Sequence, residues 1–350
     1  MLIVLEKKKS SIFLYLATFI VLLLLILFIN PENLIDKFFQ IGLWGIILLV
    51  IFYIIDLIVR TYRWKLLLIA QGTHLPLSSL ILPVCSALAI NLFTIARAGE
   101  TVRIVSLKRN NDVKYSDSIS SIVIEQVLSI IGLLIVVTGS LFFISFSFQT
   151  EESSKTVGQL ILLLLLISGG GLLLIGIILM KPSFVYKLLN FFPEFLKDKL
   201  TSAFEAFIRG LTDLRTQPSL LFQAILTSAA IWTIEGIMLH IIALSIFPSF
   251  TLTDLPWVIA ASCVGNITFI IPILPGAMGE YEAAIALVLN YSPNYVDPDP
   301  LKVASVPFID RVVKSLILGI VGGYATLQLG GAELLKYRRD YTKLNKTEEL

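Results

Sequence analysis

Long apolar runs constrain this chain more than any other feature, and they lie at about 12–29, 41–59, 118–147, 157–180, 219–247 and 303–329. A helix rises about 1.5 Å per residue, so roughly 20 apolar residues cross the ~30 Å hydrocarbon layer of a bilayer, and each run is close to that length or beyond it. Hydrocarbon offers the backbone no hydrogen-bond partner, which leaves the helix as the form such runs take. The rest of the chain agrees: 56% of its residues are hydrophobic and 15% charged, with a mean hydropathy of +0.88. That balance excludes an ordinary soluble domain. The 350 residues read as one membrane domain with no room for a large soluble one. The first run follows Lys7, Lys8 and Lys9 but has no small-residue cleavage site before Asn30-Pro31, so it reads as a retained helix rather than a signal peptide.

Two further apolar stretches are interrupted. The stretch at about 77–96 carries Pro83 and Asn91 and runs into Arg97 and Gly99; that at about 257–290 carries Asn266, Pro272, Pro275, Gly276 and Gly279. The position of basic residues, rather than the net charge of +2, decides how these stretches are threaded, because short loops rich in Lys and Arg stay in the cytoplasm. If the six clean runs cross and the two interrupted stretches enter and leave on one side, most of the 27 basic residues share the side of both termini. The exceptions are Lys37, Lys155 and Lys302, with Arg311 and Lys314 inside the last run. A full crossing at 77–96 would instead split Arg60, Arg63 and Lys65 from Arg97, Arg103, Lys108 and Arg109. The expected architecture is therefore an all-α polytopic membrane protein with about six full spans, two re-entrant broken hairpins and cytoplasmic N and C termini. The 181–215 segment alternates apolar residues with Lys187, Lys197, Lys199, Arg209 and Arg215, the pattern of an amphipathic helix on the inner surface.

The interrupted stretches also resemble each other. Cys85, Asn91 and Ala98-Gly99-Glu100 in one answer to Cys263, Asn266 and Met278-Gly279-Glu280 in the other. This suggests an inverted-topology repeat, 1–150 and 151–330, followed by a cytoplasmic tail at 331–350. Broken helices at matched positions of such repeats point to a transport site near the midplane. Pro and Gly free backbone polar groups that are tolerable only against protein or a cavity. The N-termini of broken helices also favour anions.

Ionisable residues at depth cost at least ~2.5–3.5 kcal/mol each even on lenient scales, so they pair or face water. The candidates form two groups: Arg60, Arg63, Arg97, Glu100, Arg103 and Glu125 towards the inner side, and Glu280, Glu282, Asp310, Arg311 and Lys314 towards the outer, with Glu235 between them. Guanidinium groups match phosphate oxygens as a fork, so the expected ligand is an anionic lipid headgroup. Plainer readings exist for several. Arg60, Arg63 and Lys65 around Trp64 suit interfacial anchors, Arg103 with Lys108 and Arg109 suits a topology signal, and Asp310-Arg311 suits a structural ion pair. Cys85 and Cys263 read as buried small hydrophobes; His74 and His240 are isolated, so neither a metal nor another cofactor is expected. No phosphate-binding Gly loop, nucleophile elbow or H-E-x-x-H is present, and catalysis is not expected.

Arg60-x-x-Arg63-Trp64, Arg97-x-Gly99-Glu100-x-x-Arg103, Glu125, and Pro272-x-x-Pro275-Gly276-x-x-Gly279-x-x-Glu282, in this order, resemble the flippase-like family also described as the lysylphosphatidylglycerol synthase transmembrane region. The resemblance covers about residues 10–330. It implies a lipid-translocating module without the soluble aminoacyltransferase domain of the two-part synthases. One departure is visible: the family often carries a second acidic residue shortly after the Glu125 position, where this chain reads Gln126-Val127-Leu128-Ser129. The expected function is movement of an anionic phospholipid or polyprenyl-phosphate-linked lipid across the plasma membrane, as a homodimer or with a partner enzyme and without nucleic acid. The alternatives are a membrane subunit of an enzyme modifying lipid- or polyprenyl-linked glycans, and a scaffold for one.

Overall fold

Apolar, β-branched-rich segments such as GIILLVIFYIIDLIV have modest helix propensity in water, yet they form continuous helices here, as a solvent without hydrogen bonds requires. The computed structural model describes residues 31–94, 98–111, 113–147, 210–269, 277–290, 292 and 303–330, with isolated positions between 162 and 208. The run at 12–29, most of the 157–180 and 181–215 segments, Arg97, Pro272, Pro275, Gly276 and the tail at 331–350 lie outside these residues. The described residues are helical, with no strand among them. In chain order the helices are α1 (Pro31–Gln40), α2 (Gly42–Ala70), α3 (Leu77–Phe93), α4 (Glu100–Asn111), α5 (Tyr115–Ser147), α6 (Pro218–Ile246), α7 (Leu255–Ile267), α8 (Glu280–Leu289) and α9 (Ser305–Gln328).

Three of these are long and apolar enough to cross a membrane: Gly42–Ala70, Asp117–Ile144 and Pro218–Ile246. They coincide with the runs at 41–59, 118–147 and 219–247. Helix α9 matches the run at 303–329 and, at 24 residues, extends about 36 Å, but it carries Asp310, Arg311 and Lys314. Exposed large apolar side chains along α2, including Leu43, Trp44, Ile47 and Ile51, form the kind of patch that a lipid-facing surface presents.

Two short helices are described at or beside each interrupted stretch. Helix α3 has 17 residues, about 25 Å, and packs against α4; α7 and α8, of 13 and 10 residues, pack against each other in the same manner. The first interruption is narrower than the sequence suggests, because α3 runs unbroken through Pro83 and Asn91. Pro83 forfeits the one hydrogen bond its missing amide would give to Ser79. That loss does not end the helix, which runs to Phe93. Asn266 likewise stays within α7, its amide donating to the Ser262 carbonyl at 2.9 Å.

Contacts divide the chain into two compact units, Met1–Asp56, Leu128–Pro193 and Ile225–Lys314 in one, and Leu57–Val127, Glu194–Ala224 and Ser315–Leu350 in the other. Compactness and repeat symmetry are separate properties, so these interleaved units do not bear on the repeat read at 1–150 and 151–330. In the second unit Trp64, Leu68, Leu80, Val84, Leu107 and Val113 form a buried cluster under α2, α3 and α4. Helix α2 ends in a Schellman turn: Gly72 takes φ +80°, the Thr73 amide donates to Leu68 and the Gly72 amide to Ile69, both at 2.9 Å. In the first unit Trp232 Nε1 donates to the Ser129 carbonyl at 2.7 Å. There Gly236 lets α6 approach α7 so closely that a Cβ would lie 2.8 Å from Ile259 Cα.

A second close approach supplies a test. A Cβ on Gly322 of α9 would fall 2.4 Å from Ala89 Cβ and 2.7 Å from the Cys85 carbonyl oxygen, whereas one on Gly319 would meet nothing within 4 Å. Gly322→Ala is expected to destabilise the protein by about 1–3 kcal/mol through overpacking, and Gly319→Ala to stabilise it by about 0.5–1 kcal/mol through helix propensity. Thermal melting in detergent reads both, and equal effects would contradict the packing described.

Candidate functional site

In the second unit three helices bring five charged residues together. Arg63 sits on α2, Glu100 and Arg103 on α4, and Glu125 on α5. Glu125 bridges two guanidinium groups: its Oε1 accepts from Arg63 Nη2 at 2.9 Å, and its Oε2 accepts from Arg103 Nη2. Arg103 Nη1 also donates to Glu100 Oε2 at 2.9 Å, one turn earlier on α4. Arg63, Arg103 and Glu125 are all buried. Arg60 lies one turn before Arg63, near enough for the two charges to repel.

Aromatic and hydroxyl groups hold this network in position. The Trp64 ring, fully buried, lies 4.0 Å from the Arg103 guanidinium, a cation–π contact strengthened by desolvation. Its Nε1 donates to Ser121 Oγ at 3.1 Å, and Ser121 Oγ donates in turn to the Ser118 carbonyl. Asn91, near the end of α3, secures the start of α4. Its Oδ1 accepts from the Gly99 amide at 2.8 Å, and its Nδ2 donates to Glu100 Oε1 at 3.3 Å. No residue but glycine fits at position 99, because a Cβ would fall 2.0 Å from the Ala87 carbonyl oxygen.

The first unit contains a second charged network. Glu282 is completely buried; its Oε1 accepts from Arg311 Nε, and its Oε2 accepts from the Gly279 amide at 2.7 Å. Arg311 Nη2 also donates to the Ala277 carbonyl at 3.2 Å. Ala277 has φ +49° and Gly279 φ +87°, so the chain entering α8 is held in the left-handed region by contacts with Arg311 and Glu282. The Arg311 guanidinium lies 4.9 Å from the Tyr281 ring and 5.5 Å from the Phe269 ring. On the adjoining face Lys314 Nζ meets Glu235 Oε2 and Asp310 Oδ2 at 2.8 Å. Tyr281 donates its hydroxyl to the same Asp310 oxygen at 2.9 Å.

Most of the residues expected from sequence thus join one of two networks. Arg63, Glu100, Arg103 and Glu125 form one, with Arg60 beside it; Glu282, Asp310, Arg311 and Lys314 form the other. Glu280 opens α8 and is half-buried, and Arg97 lies outside the described residues. Asp310 and Arg311 do not pair with each other, because successive residues diverge around a helix; Asp310 meets Lys314 one turn on, and Arg311 reaches α8. Tyr281 gave no sequence signal, since one tyrosine in an apolar segment is unremarkable. Asn91 was legible only as part of a break. Chemically, each guanidinium here is held by carboxylates that an anionic oxygen group could replace.

Removing one member of such a network leaves a buried charge exposed to its like. Glu125→Gln leaves Arg63 and Arg103 facing each other, and should cost about 3–5 kcal/mol of stability. Denaturation of the purified protein checks this, and a loss below about 1 kcal/mol would contradict a desolvated network.

Glycosyltransferase AglD of Haloferax volcanii is 24% identical over 334 residues, covering 89% of this chain and 53% of that protein, so the chain spans about half the length of that relative. The family model for the lysylphosphatidylglycerol synthase TM region matches residues 14–322, and the protein, an integral membrane protein, belongs to that family.

Proposed function

We propose that the protein moves an anionic lipid, or a lipid-linked anionic headgroup, across the plasma membrane by alternating access. The observation that carries this reading is the buried Arg63–Glu125–Arg103 network. Burying three charges costs more than their attraction reliably returns, so such a network is poor evidence for stability alone. In a membrane protein it is by default a functional site. Glu125 lies about 12 Å along the span that begins at Asp117, deep enough to draw a headgroup below the surface while its tails stay in hydrocarbon. A phosphate would bind by taking the place of Glu125 or Glu100 on the guanidinium forks, and would leave when the carboxylates return.

The proposed topology rests on helix length and on the placement of the basic residues. The α3–α4 and α7–α8 pairs, each arm too short to cross, would form two re-entrant hairpins among about six full spans, with both termini cytoplasmic and the two hairpins acting as gates. Homodimer formation or a partner enzyme is part of the proposal. A second reading, a membrane subunit of an enzyme that modifies lipid- or polyprenyl-linked glycans, is favoured by the likeness to a glycosyltransferase. Product formation by purified protein with lipid and sugar donor would favour it over transport.

Translocation of fluorescent phosphatidylglycerol and phosphatidylcholine in reconstituted vesicles, followed by dithionite quenching, tests the leading reading. The anionic probe should move faster than the zwitterionic one. Arg60→Gln, at the rim of the network, should slow it roughly tenfold, the equivalent of one charge-assisted hydrogen bond, with unchanged melting temperature. Equal rates for both lipids, indifferent to Arg60→Gln, would sink the assignment.

A further inference from the structure

We infer that His240 lies at a buried hydroxyl-binding site, where the oxygen of a water or of a lipid hydroxyl hydrogen-bonds the imidazole. His240 stands on α6 about 9 Å before its end at Ile246 and is 3% exposed. Neither of its ring nitrogens meets a hydrogen-bond partner among the described residues. A neutral imidazole carries one N–H donor and one bare acceptor nitrogen, and buried groups of either kind are rarely left unmet, because desolvation then goes uncompensated. Hydrocarbon around a span does nothing to relieve that penalty.

Packing gives the site a polar border. Gly236 lets α6 approach α7 closely at Ile259. One turn on along α6 is His240, and one turn back along α7 is Leu255, the residue after Asp254. The turn at 247–254 thus returns the chain beside His240, and the Asp254 carboxylate is near enough for its charge to act on the imidazole. Asp254 is itself buried and held in place: its Oδ2 accepts from the Thr251 amide at 2.8 Å and from Thr251 Oγ1 at 3.1 Å. Its Oδ1 accepts from the buried Ser292 Oγ at 3.4 Å. A buried water takes two to four polar partners, and the imidazole, this carboxylate and this hydroxyl supply groups of the required kind.

The ring decides which chemistry fits. Its N–H asks for an acceptor and its bare nitrogen for a donor. An oxyanion offers acceptors alone and an ammonium donors alone, whereas a hydroxyl oxygen offers both. That is the chemistry of water and of the glycerol or sugar hydroxyls of a lipid headgroup. A metal ion would call for a cluster of His, Cys, Asp or Glu, and no group of three such residues able to hold one is present among the described residues. His240 belongs to neither charged network, so the site stands whether or not the protein moves lipid.

Solid-state NMR of the full chain, with a heavy nitrogen isotope in its histidines and in bilayers of phosphatidylcholine, tests the site without altering it. The chain has two histidines; His74, exposed between α2 and α3, is assigned by its loss in His74→Gln. The expected result is a neutral His240 ring in which both nitrogens are shifted by hydrogen bonding and gain signal from the protons of water. Transfer confined to phosphatidylglycerol bilayers, and arising from the glycerol protons, would give the site to a lipid hydroxyl. Nitrogens with the shifts of an unbonded ring, and no transfer in either bilayer, would overturn the proposal. A doubly protonated ring that gains no signal from water or lipid would overturn it equally, by making His240 a direct partner of Asp254.

Discussion

Charge pairing away from water is the interaction on which the described structure depends. Ten charged side chains, Arg60 among them, belong to or border the two networks, and the described cation contacts meet carboxylates, a backbone carbonyl or aromatic rings. Those pairings decide local backbone as well. The Gly279 amide and the Ala277 carbonyl are held by Glu282 and Arg311, which fixes the left-handed entry to α8. Asn91 and Glu100 do the corresponding work at the start of α4. At the described ends of the breaks, Gly99, Ala277 and Gly279, the backbone groups are thus met by side chains.

Counted over the described residues, the two networks differ in composition. Arg60, Arg63 and Arg103 outnumber Glu100 and Glu125, whereas Glu235, Glu282 and Asp310 outnumber Arg311 and Lys314. On the proposed reading, the guanidinium-rich network suits an anionic headgroup.

Much of this was legible in the sequence because hydrocarbon imposes simple rules. The three longest apolar helices follow directly from run length, whereas the sequence suggested Asp310 with Arg311 and the structure pairs Asp310 with Lys314. Grouping Arg63, Arg103 and Glu125 was possible from their nearness to span ends, but the bridging role of Glu125 was not. It depends on α2, α4 and α5 converging, which no local spacing encodes. The chain lacks the second acidic residue expected from the family pattern shortly after Glu125, and Glu125 pairs with two arginines. Arg103 looked like a topology marker and is buried beneath Trp64. Pro83 looked like a break and is not one, because a helix can forgo a single hydrogen bond when its neighbours pack well. Tyr281 and Glu235 gain their roles only from the helices they face.

Mass spectrometry of lipids retained by the purified protein tests the central claim, a site selective for anionic headgroups, most directly. The account predicts enrichment of one anionic lipid class over its share of the surrounding membrane. It predicts loss of that enrichment in Arg60→Gln protein that melts at the same temperature. Retained lipid that mirrors the bulk membrane in both proteins would contradict it.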